Sequence, residues 1–132
     1  MANLVVNRGL QVIGGRASNT ADAFTEIDSM SIDDRAVAFV AGDTTLGSPT
    51  NEADANFDST PARTSQTVRH TATFGTGVFN GNTIRRIALH SAAAASVSGS
   101  STTLVAGVDT QSFAKTADFS ITFSLDLVYT TS

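Results

Sequence analysis

Residues 117–129 have the sequence Ala-Asp-Phe-Ser-Ile-Thr-Phe-Ser-Leu-Asp-Leu-Val-Tyr, in which apolar and polar side chains alternate with Val128 as the one exception. Such a period of two is typical of a half-buried β-strand, because successive side chains of a strand point to opposite faces. At about 3.3 Å per residue the stretch would span about 40 Å, well beyond a usual strand. The pattern predicts a long C-terminal strand that contributes one face to the core and extends toward a second sheet or a neighbouring molecule.

The composition of the chain is that of a single β-domain. Its 132 residues suffice for one hydrophobic core, and Ser plus Thr make up about a quarter of them. Short alternating runs separated by Gly, Asn and Asp are typical of sandwiches and jelly rolls. We therefore predict an all-β protein, an antiparallel β-sandwich with a jelly roll as one option, in a single domain covering residues 1–132.

A hairpin is predicted in the middle of the chain. Residues 67–74 alternate in the same way as the C-terminal stretch, and Asn80-Gly81 follows them. Asn-Gly is the strongest short-range hairpin signal, because both residues tolerate the positive φ angles of a tight turn. Residues 83–90 are therefore expected to return beside residues 67–74, which would make His70 and His90 neighbours.

The N-terminal segment, residues 1–22, is predicted to contain an extended run that ends at Gly14-Gly15 and is followed by a polar loop. Leu4, Val6 and Leu10 fall on one side of the run, and Arg8 lies between them. Two interpretations remain open: a first core strand, or an arm that pairs with a sheet edge of a neighbouring subunit. In the second case these four residues would form part of an interface.

Residues 42–65 contain no apolar period and are rich in Gly, Pro, Asn and Asp, which predicts a long irregular loop. Long loops in compact domains are usually functional or mobile. Phe57 is an isolated large apolar residue in this segment. It is a candidate anchor for a partner, or it packs back onto its own domain.

Arg85-Arg86 is the most distinct charged feature. On a strand the two side chains point to opposite faces, so they are either solvated or one of them forms an ion pair with another subunit. Seven of the eight basic residues are Arg, and Lys115 is the only Lys. Arginine without lysine favours interfaces, because the guanidinium pairs bidentately and is weakly hydrated.

Several classes of function are disfavoured by composition. The net charge of −4 provides no basic surface for nucleic acid. No apolar run reaches the 18 residues that a membrane-spanning helix needs, and no secretory leader opens the chain. The chain has no cysteine and hence no disulfide.

Motifs for catalysis or cofactors are incomplete. His70 and His90 lack a third ligand close by in the sequence for a metal. Residues 54–58 match the opening spacing of an EF-hand loop, but Ser59 stands where that loop needs glycine. Residues 75–77, Gly-Thr-Gly, lack the third glycine and the lysine of a phosphate loop, and no nucleophile-elbow pattern is present. We predict no catalytic residue, no metal and no cofactor, and hence a protein that is not an enzyme.

Three stretches resemble a family of small phage virion structural proteins, and together they span residues 27–130. They are Ser29-Met-Ser-Ile-Asp33 leading into Gly42-Asp-Thr-Thr-Leu-Gly47, His70-Thr-Ala-Thr-Phe-Gly75 with Asn82-Thr-Ile-Arg-Arg-Ile-Ala-Leu89, and Thr102-Thr-Leu-Val-Ala-Gly107 with the strand after it. In that family similar blocks occur as stand-alone virion components or within tail-collar and fibre proteins. The resemblance implies a structural role without catalysis.

The leading hypothesis is a capsid decoration, or cement, protein on the exterior of the virion, assembled in the host cytoplasm. Its expected partners are other virion proteins, first the major capsid protein, and a homotrimer is the expected oligomer. The acidic balance of the chain argues against contact with packaged DNA. The alternatives are a tail, collar or fibre-attachment protein and a carbohydrate-binding module. A chain with no Trp and one Tyr disfavours the latter, because such modules usually stack sugars on exposed aromatic rings.

Overall fold

The computed structural model describes residues 3–7, 9–10 and 26–128, and ten strands are assigned within them. A three-residue 3-10 turn at Ala94–Ser96 lies between the seventh and eighth strands. The strands are β1 (Asn3–Val5), β2 (Ser29–Asp33), β3 (Glu52–Asn56), β4 (Ala62–Thr64), β5 (Thr67–Phe74), β6 (Thr83–Ile84), β7 (Arg86–His90), β8 (Leu104–Val108), β9 (Phe113–Ala114) and β10 (Ile121–Val128).

The strands form antiparallel sheets that pack together, so the protein is all-β as predicted. Over the described residues, sheet A has the strand order β1-β8-β7-β2-β3, and sheet B has the order β10-β5-β4. A short pair, β6 with β9, forms a third sheet. The arrangement is that of a β-sandwich, whereas the jelly-roll topology is not confirmed.

The main core lies between sheets A and B. Sheet A contributes Met30, Ile32, Ile87, Leu89 and Ala106, and sheet B contributes Ala72, Phe74 and Leu127. A second, smaller cluster on the opposite face of sheet A contains Val6, Phe39, Leu46, Ala88 and Leu104. Strands β2 and β7 are therefore buried on both faces.

The C-terminal strand is shorter than the sequence predicted. β10 begins at Ile121, although its alternation is as expected, with Leu127 buried and residues 122, 124, 126 and 128 exposed. Its partner β5 ends at Phe74, directly opposite Ile121, so residues 117–120 have no strand beside them there. Lys115 Nζ donates to the carbonyl oxygens of Thr116 and Phe119, each at 2.8 Å, and curls this segment instead. Tyr129 lies outside the described residues.

The predicted hairpin of residues 67–74 with residues 83–90 is wrong. β5 pairs with β10 and β4, whereas β7 lies in sheet A beside β2 and β8. The turn at Asn80-Gly81 is present, with a φ of 80° at Gly81, but it delivers the chain to β6, which pairs with β9. The chain thus crosses from one sheet to the other between β5 and β7.

Residues 42–65 are not irregular throughout, because β3 and β4 lie within them. β3 alternates between alanines facing the core and acidic side chains, so its apolar face is carried only by Ala53 and Ala55. β4 is exposed at all three positions and has no apolar face. Both strands therefore lack the alternating large apolar side chains by which a strand is predicted from a sequence.

The extended N-terminal segment is short. β1 pairs with β8 at the edge of sheet A, and beyond it the Leu10 N–H donates to the Val6 carbonyl at 3.1 Å, the bond of a helical turn. The prediction of one extended run through Leu10 is wrong, because the chain turns after Val6. Arg8 and residues 11–22 lie outside the described residues. No helix within the described ranges is long and apolar enough to cross a membrane.

Candidate interaction surface

An open cleft of about 840 Å³ lies between the two sheets, on the side where β1 and β10 form their edges. Its walls are mostly apolar. Sheet A contributes Val5, Ala106 and Val108, and sheet B contributes Phe123, Leu125 and Leu127. The polar residues in its lining are Gln111, Ser124 and Asp126. A concave, apolar surface with few polar groups is the usual form of a binding site.

Three of the six large apolar side chains that are exposed in the described residues lie at this cleft. Leu10, Phe113 and Val128 line it and are 58%, 47% and 60% exposed, respectively. Apolar side chains scattered singly over a surface are ordinary, whereas several that share one concave site point to contact with another molecule. The cleft is therefore the candidate interaction surface.

The one charged side chain of β10, Asp126, is neutralised by an ion pair with Arg69 of β5. The Arg69 guanidinium donates to both carboxylate oxygens of Asp126, at 2.8 and 2.9 Å. These hydrogen bonds from Arg69 hold the pKa of Asp126 below its ordinary value, so the carboxylate stays ionised and paired. Further along the same two strands, the hydroxyl groups of Thr71 and Thr73 on β5 are hydrogen-bonded to those of Ser124 and Thr122 on β10.

Arg86 does not form an interface. Its side chain is 2% exposed and is paired with Asp33 of the same chain, with Phe39 packed against it at 4.4 Å from the guanidinium carbon to the ring centroid. Arg85 is half-buried, and its backbone N–H donates to the Asp33 carbonyl at 2.8 Å. The two arginines do point to different surroundings, but the ion pair is within one chain rather than between subunits.

The two histidines are far from forming a shared site, because they lie in different sheets. His70 packs between the sheets with its ring centroid 5.1 Å from that of Phe57, and burial lowers its pKa. His90 lies on the other face of sheet A, where its ring nitrogens are hydrogen-bonded to Ser31 and Thr103. No group of three or more His, Cys, Asp or Glu side chains in the described parts of the chain could hold a metal ion.

The residues that match the EF-hand spacing lie on and just after a strand. Asp54 is on β3, and Asn56 accepts a hydrogen bond from the Ala94 N–H at 2.9 Å. Asp58 accepts from the Thr73 backbone N–H and hydroxyl. An extended strand points Asp54 and Asn56 along one face and cannot wrap them around an ion as a calcium loop does.

Asp54 is the most strongly perturbed acid. Burial, and then the negative charge of Glu52, raise its pKa to about 7. Burial also raises the pKa of Glu52. One carboxylate oxygen of each is buried without a hydrogen-bond partner, so both acids cost stability when ionised.

The remaining predicted interface residues divide between core and surface. Val6 is fully buried, whereas Leu4 is half-buried: it packs against the same small cluster and also lines the cleft. Phe57 packs back onto its own domain against the main core. Leu10 does reach the candidate interaction surface.

Sequence reasoning missed Phe113 and Val128. Val128 did leave a signal, because it is the one apolar residue at a polar position in the alternation of residues 117–129. Phe113 lies between Ser112 and Ala114 outside any alternating run, and nothing local marks it as part of a surface.

Comparison of the chain with protein-family models, with curated proteins and with solved structures found no match. The resemblance to phage virion structural proteins therefore stays a prediction from the sequence.

Proposed function

We propose that the chain is a non-enzymatic structural protein of a phage virion, seated on the outside of the capsid shell as a decoration, or cement, protein. In this role it would stabilise the shell through protein–protein contacts, first with the major capsid protein. The observation that carries the proposal is the apolar cleft, at which Leu10, Phe113 and Val128 are exposed. Such a surface suits contact with protein.

Two features of the sequence support the same role. The three stretches that resemble virion proteins lie on β2, β5 to β7 and β8, and thus run through both sheets. The net charge of −4 favours an exterior position over contact with packaged DNA. The trimer expected from the sequence is part of this proposal.

The proposal is tested by adding purified protein to undecorated shells and imaging them by cryo-electron microscopy. We expect density at regular positions on the outer surface and a higher disruption temperature of the shells. Phe113→Ser should weaken binding, whereas Val40→Ser, at a 59% exposed position outside the cleft, should not. Shells without added density at saturating protein would refute the assignment.

Copy number separates this function from the alternative of a tail, collar or fibre-attachment protein. A decoration protein is present in numbers comparable to the major capsid protein, whereas a tail or collar component is present in few copies per particle. Quantitative gel analysis of purified virions distinguishes the two.

A further inference from the structure

We propose that the free edge of β10 and the cleft beside it bind one extended segment of a partner virion protein, which joins sheet B as an added strand. The segment would have apolar residues at alternate positions and no net charge. The identity of the partner rests on the proposed function, whereas the mode of binding rests on the geometry of β10.

The hydrogen bonds of β5 show which backbone groups of β10 point outward. The Thr71 carbonyl accepts from the Asp58 N–H at 2.9 Å, and the Thr73 N–H donates to the Asp58 carboxylate at 3.1 Å. Both residues therefore direct their backbone groups away from β10. In an antiparallel ladder the residues opposite them, Ser124 and Thr122, then direct their own N–H and C=O groups to the other edge of β10.

No described strand pairs with that outer edge. β10 is eight residues long and contains neither Pro nor Lys, the residues by which natural proteins commonly block an edge strand. By the same alternation Asp126 also presents its backbone outward. As far as the described residues go, the edge is thus an unprotected row of donors and acceptors, as used in β-strand addition.

Sheet A is wider than sheet B, which leaves space beside β10 for an added strand. Within the described residues sheet A has five strands and sheet B has three, and β5 lies against β2 and β3. β10 follows on the side of β7, so β8 and β1 extend beyond it. Their inward side chains, Val5, Ala106 and Val108, line the cleft. Because strands are spaced by about 4.8 Å and sheets by about 10 Å, a strand beside β10 would cover these side chains.

A second copy of the folded chain does not fit this edge by antiparallel pairing. Two β10 strands paired in this way are related by a two-fold axis perpendicular to sheet B. Both copies of sheet A would then lie on the same side, and their overhanging β8 and β1 strands would occupy the same space. A lone extended segment brings no second sheet and avoids the clash.

The chemistry of the cleft specifies the segment. Its inner residues would lie beside Phe123 and Leu125 and against Phe113, so they must be apolar to be buried without cost. The one charged side chain of β10, Asp126, is already paired with Arg69. A charged residue in the segment would find no free partner on this strand, which favours a neutral, alternating sequence.

The mode of binding is tested with a peptide that needs no identified partner. The probe has the sequence of residues 121–128 with serine in place of the aspartate, and one lysine and one glutamate are added at each end for solubility, so it has no net charge. The control peptide has proline in place of the serine that corresponds to Ser124. On addition of the probe to the full chain, we expect NMR shifts and at least tenfold slower amide exchange at Thr122, Ser124 and Asp126. The amides of Phe123 and Leu125 serve as references, because they face β5. The control peptide should have no effect.

Three outcomes of the peptide experiment would overturn the proposal. The probe causes no change at saturation, it changes residues away from β10 and the cleft, or the outward amides are already protected in the isolated chain. The last outcome means that the chain itself or a second copy occupies the edge, and analytical ultracentrifugation over a range of concentrations tells these occupants apart.

The partner is tested with undecorated shells. Val128→Lys places a charge on the outer edge and should reduce shell binding at least tenfold, whereas Thr64→Lys, on the opposite edge of sheet B, should not. Ser124→Pro removes one outward N–H and the hydroxyl bond to Thr71, but no backbone hydrogen bond to β5. It should act like Val128→Lys if its thermal unfolding matches that of Ser124→Ala, which loses only the hydroxyl and should keep full shell binding. Full binding of a folded Val128→Lys variant refutes the strand mode and leaves the decoration function standing. Peptide binding without any shell binding refutes the function and leaves the edge site standing.

Discussion

The Arg86 guanidinium and the Asp33 carboxylate form a bidentate ion pair inside the domain. The Nε–Oδ1 and Nη2–Oδ2 distances are 2.9 and 2.8 Å, and the two side chains are 2% and 1% exposed. The residues face each other across β7 and β2, and Arg86 also donates to the Leu46 carbonyl. Because Leu46 belongs to the segment that follows β2, Arg86 holds this segment against the outer face of sheet A.

Removing either partner of this pair should be costly, because the other charge is then buried alone. We expect Arg86→Ala to lower the free energy of unfolding by about 3–5 kcal/mol. Asp33→Ala should cost at least as much, since Asp33 also accepts from the Arg35 N–H at 2.9 Å. The double variant should cost clearly less than the sum of the two. Urea denaturation measures all three.

The exposed pair of Arg69 and Asp126 is the matched control. The Arg69 side chain is 62% exposed, so solvent screens the pair and Arg69→Ala should lower the free energy of unfolding far less than Arg86→Ala does. Strictly additive losses at Asp33 and Arg86 would contradict the coupling argued for the buried pair.

Asp54 should lower stability as the pH rises. Its pKa is raised to about 7 in the folded chain from an ordinary value of 3.8, so the folded state holds a proton that the unfolded state has released. This acid's contribution to stability therefore falls between about pH 4 and pH 7 and stays low above that range. We expect Asp54→Asn to raise the melting temperature at pH 8 and to change it little at pH 4, measured by calorimetry. Asp118→Asn, at an exposed position, serves as control.

His70 should have the opposite pH dependence. Burial lowers its pKa below the ordinary 6.5, so the unfolded state takes up a proton first as the pH falls. Stability is full above pH 6.5 and is lost as the pH falls from there toward the lower pKa of the folded state. We expect His70→Leu to flatten this loss between pH 6.5 and 5. The effect of His70→Leu should be measured in a chain that already carries Asp54→Asn, because the opposite pH dependence of Asp54 is then absent. An unchanged slope would contradict the assignment to His70.

Phe119 and Phe123 should respond differently to the same substitution. The Phe123 ring centroid lies 6.4 Å from that of Phe74 and 6.3 Å from that of Phe113, so Phe123→Asp buries a charge beside the core and should unfold the domain. Phe119 is 42% exposed and precedes β10, so Phe119→Asp should leave a folded chain that loses less than about 1 kcal/mol. Circular dichroism with thermal melting tests both. Unfolding of both variants would restore the long strand that the sequence predicted.

The sequence by itself determined the fold class and the facing of individual strands. The alternation at residues 67–74 predicted β5 with its bounds, and the alternation from Ile121 onward predicted which β10 side chains face the core. Both follow from the period of two, which is a property of the strand's own backbone and needs no neighbour.

Only the tertiary structure decided which strands are neighbours, which charges are buried and where the candidate interaction surface lies. β5 pairs with β10, far along the chain, rather than with β7 across the Asn-Gly turn, and this separates His70 from His90. Arg86 is buried because Asp33 lies opposite it on β2. The cleft exists because one sheet is wider than the other over the described residues. Each of these depends on hydrogen bonds between residues distant in sequence, and a local pattern of side chains does not specify the partner of a strand edge.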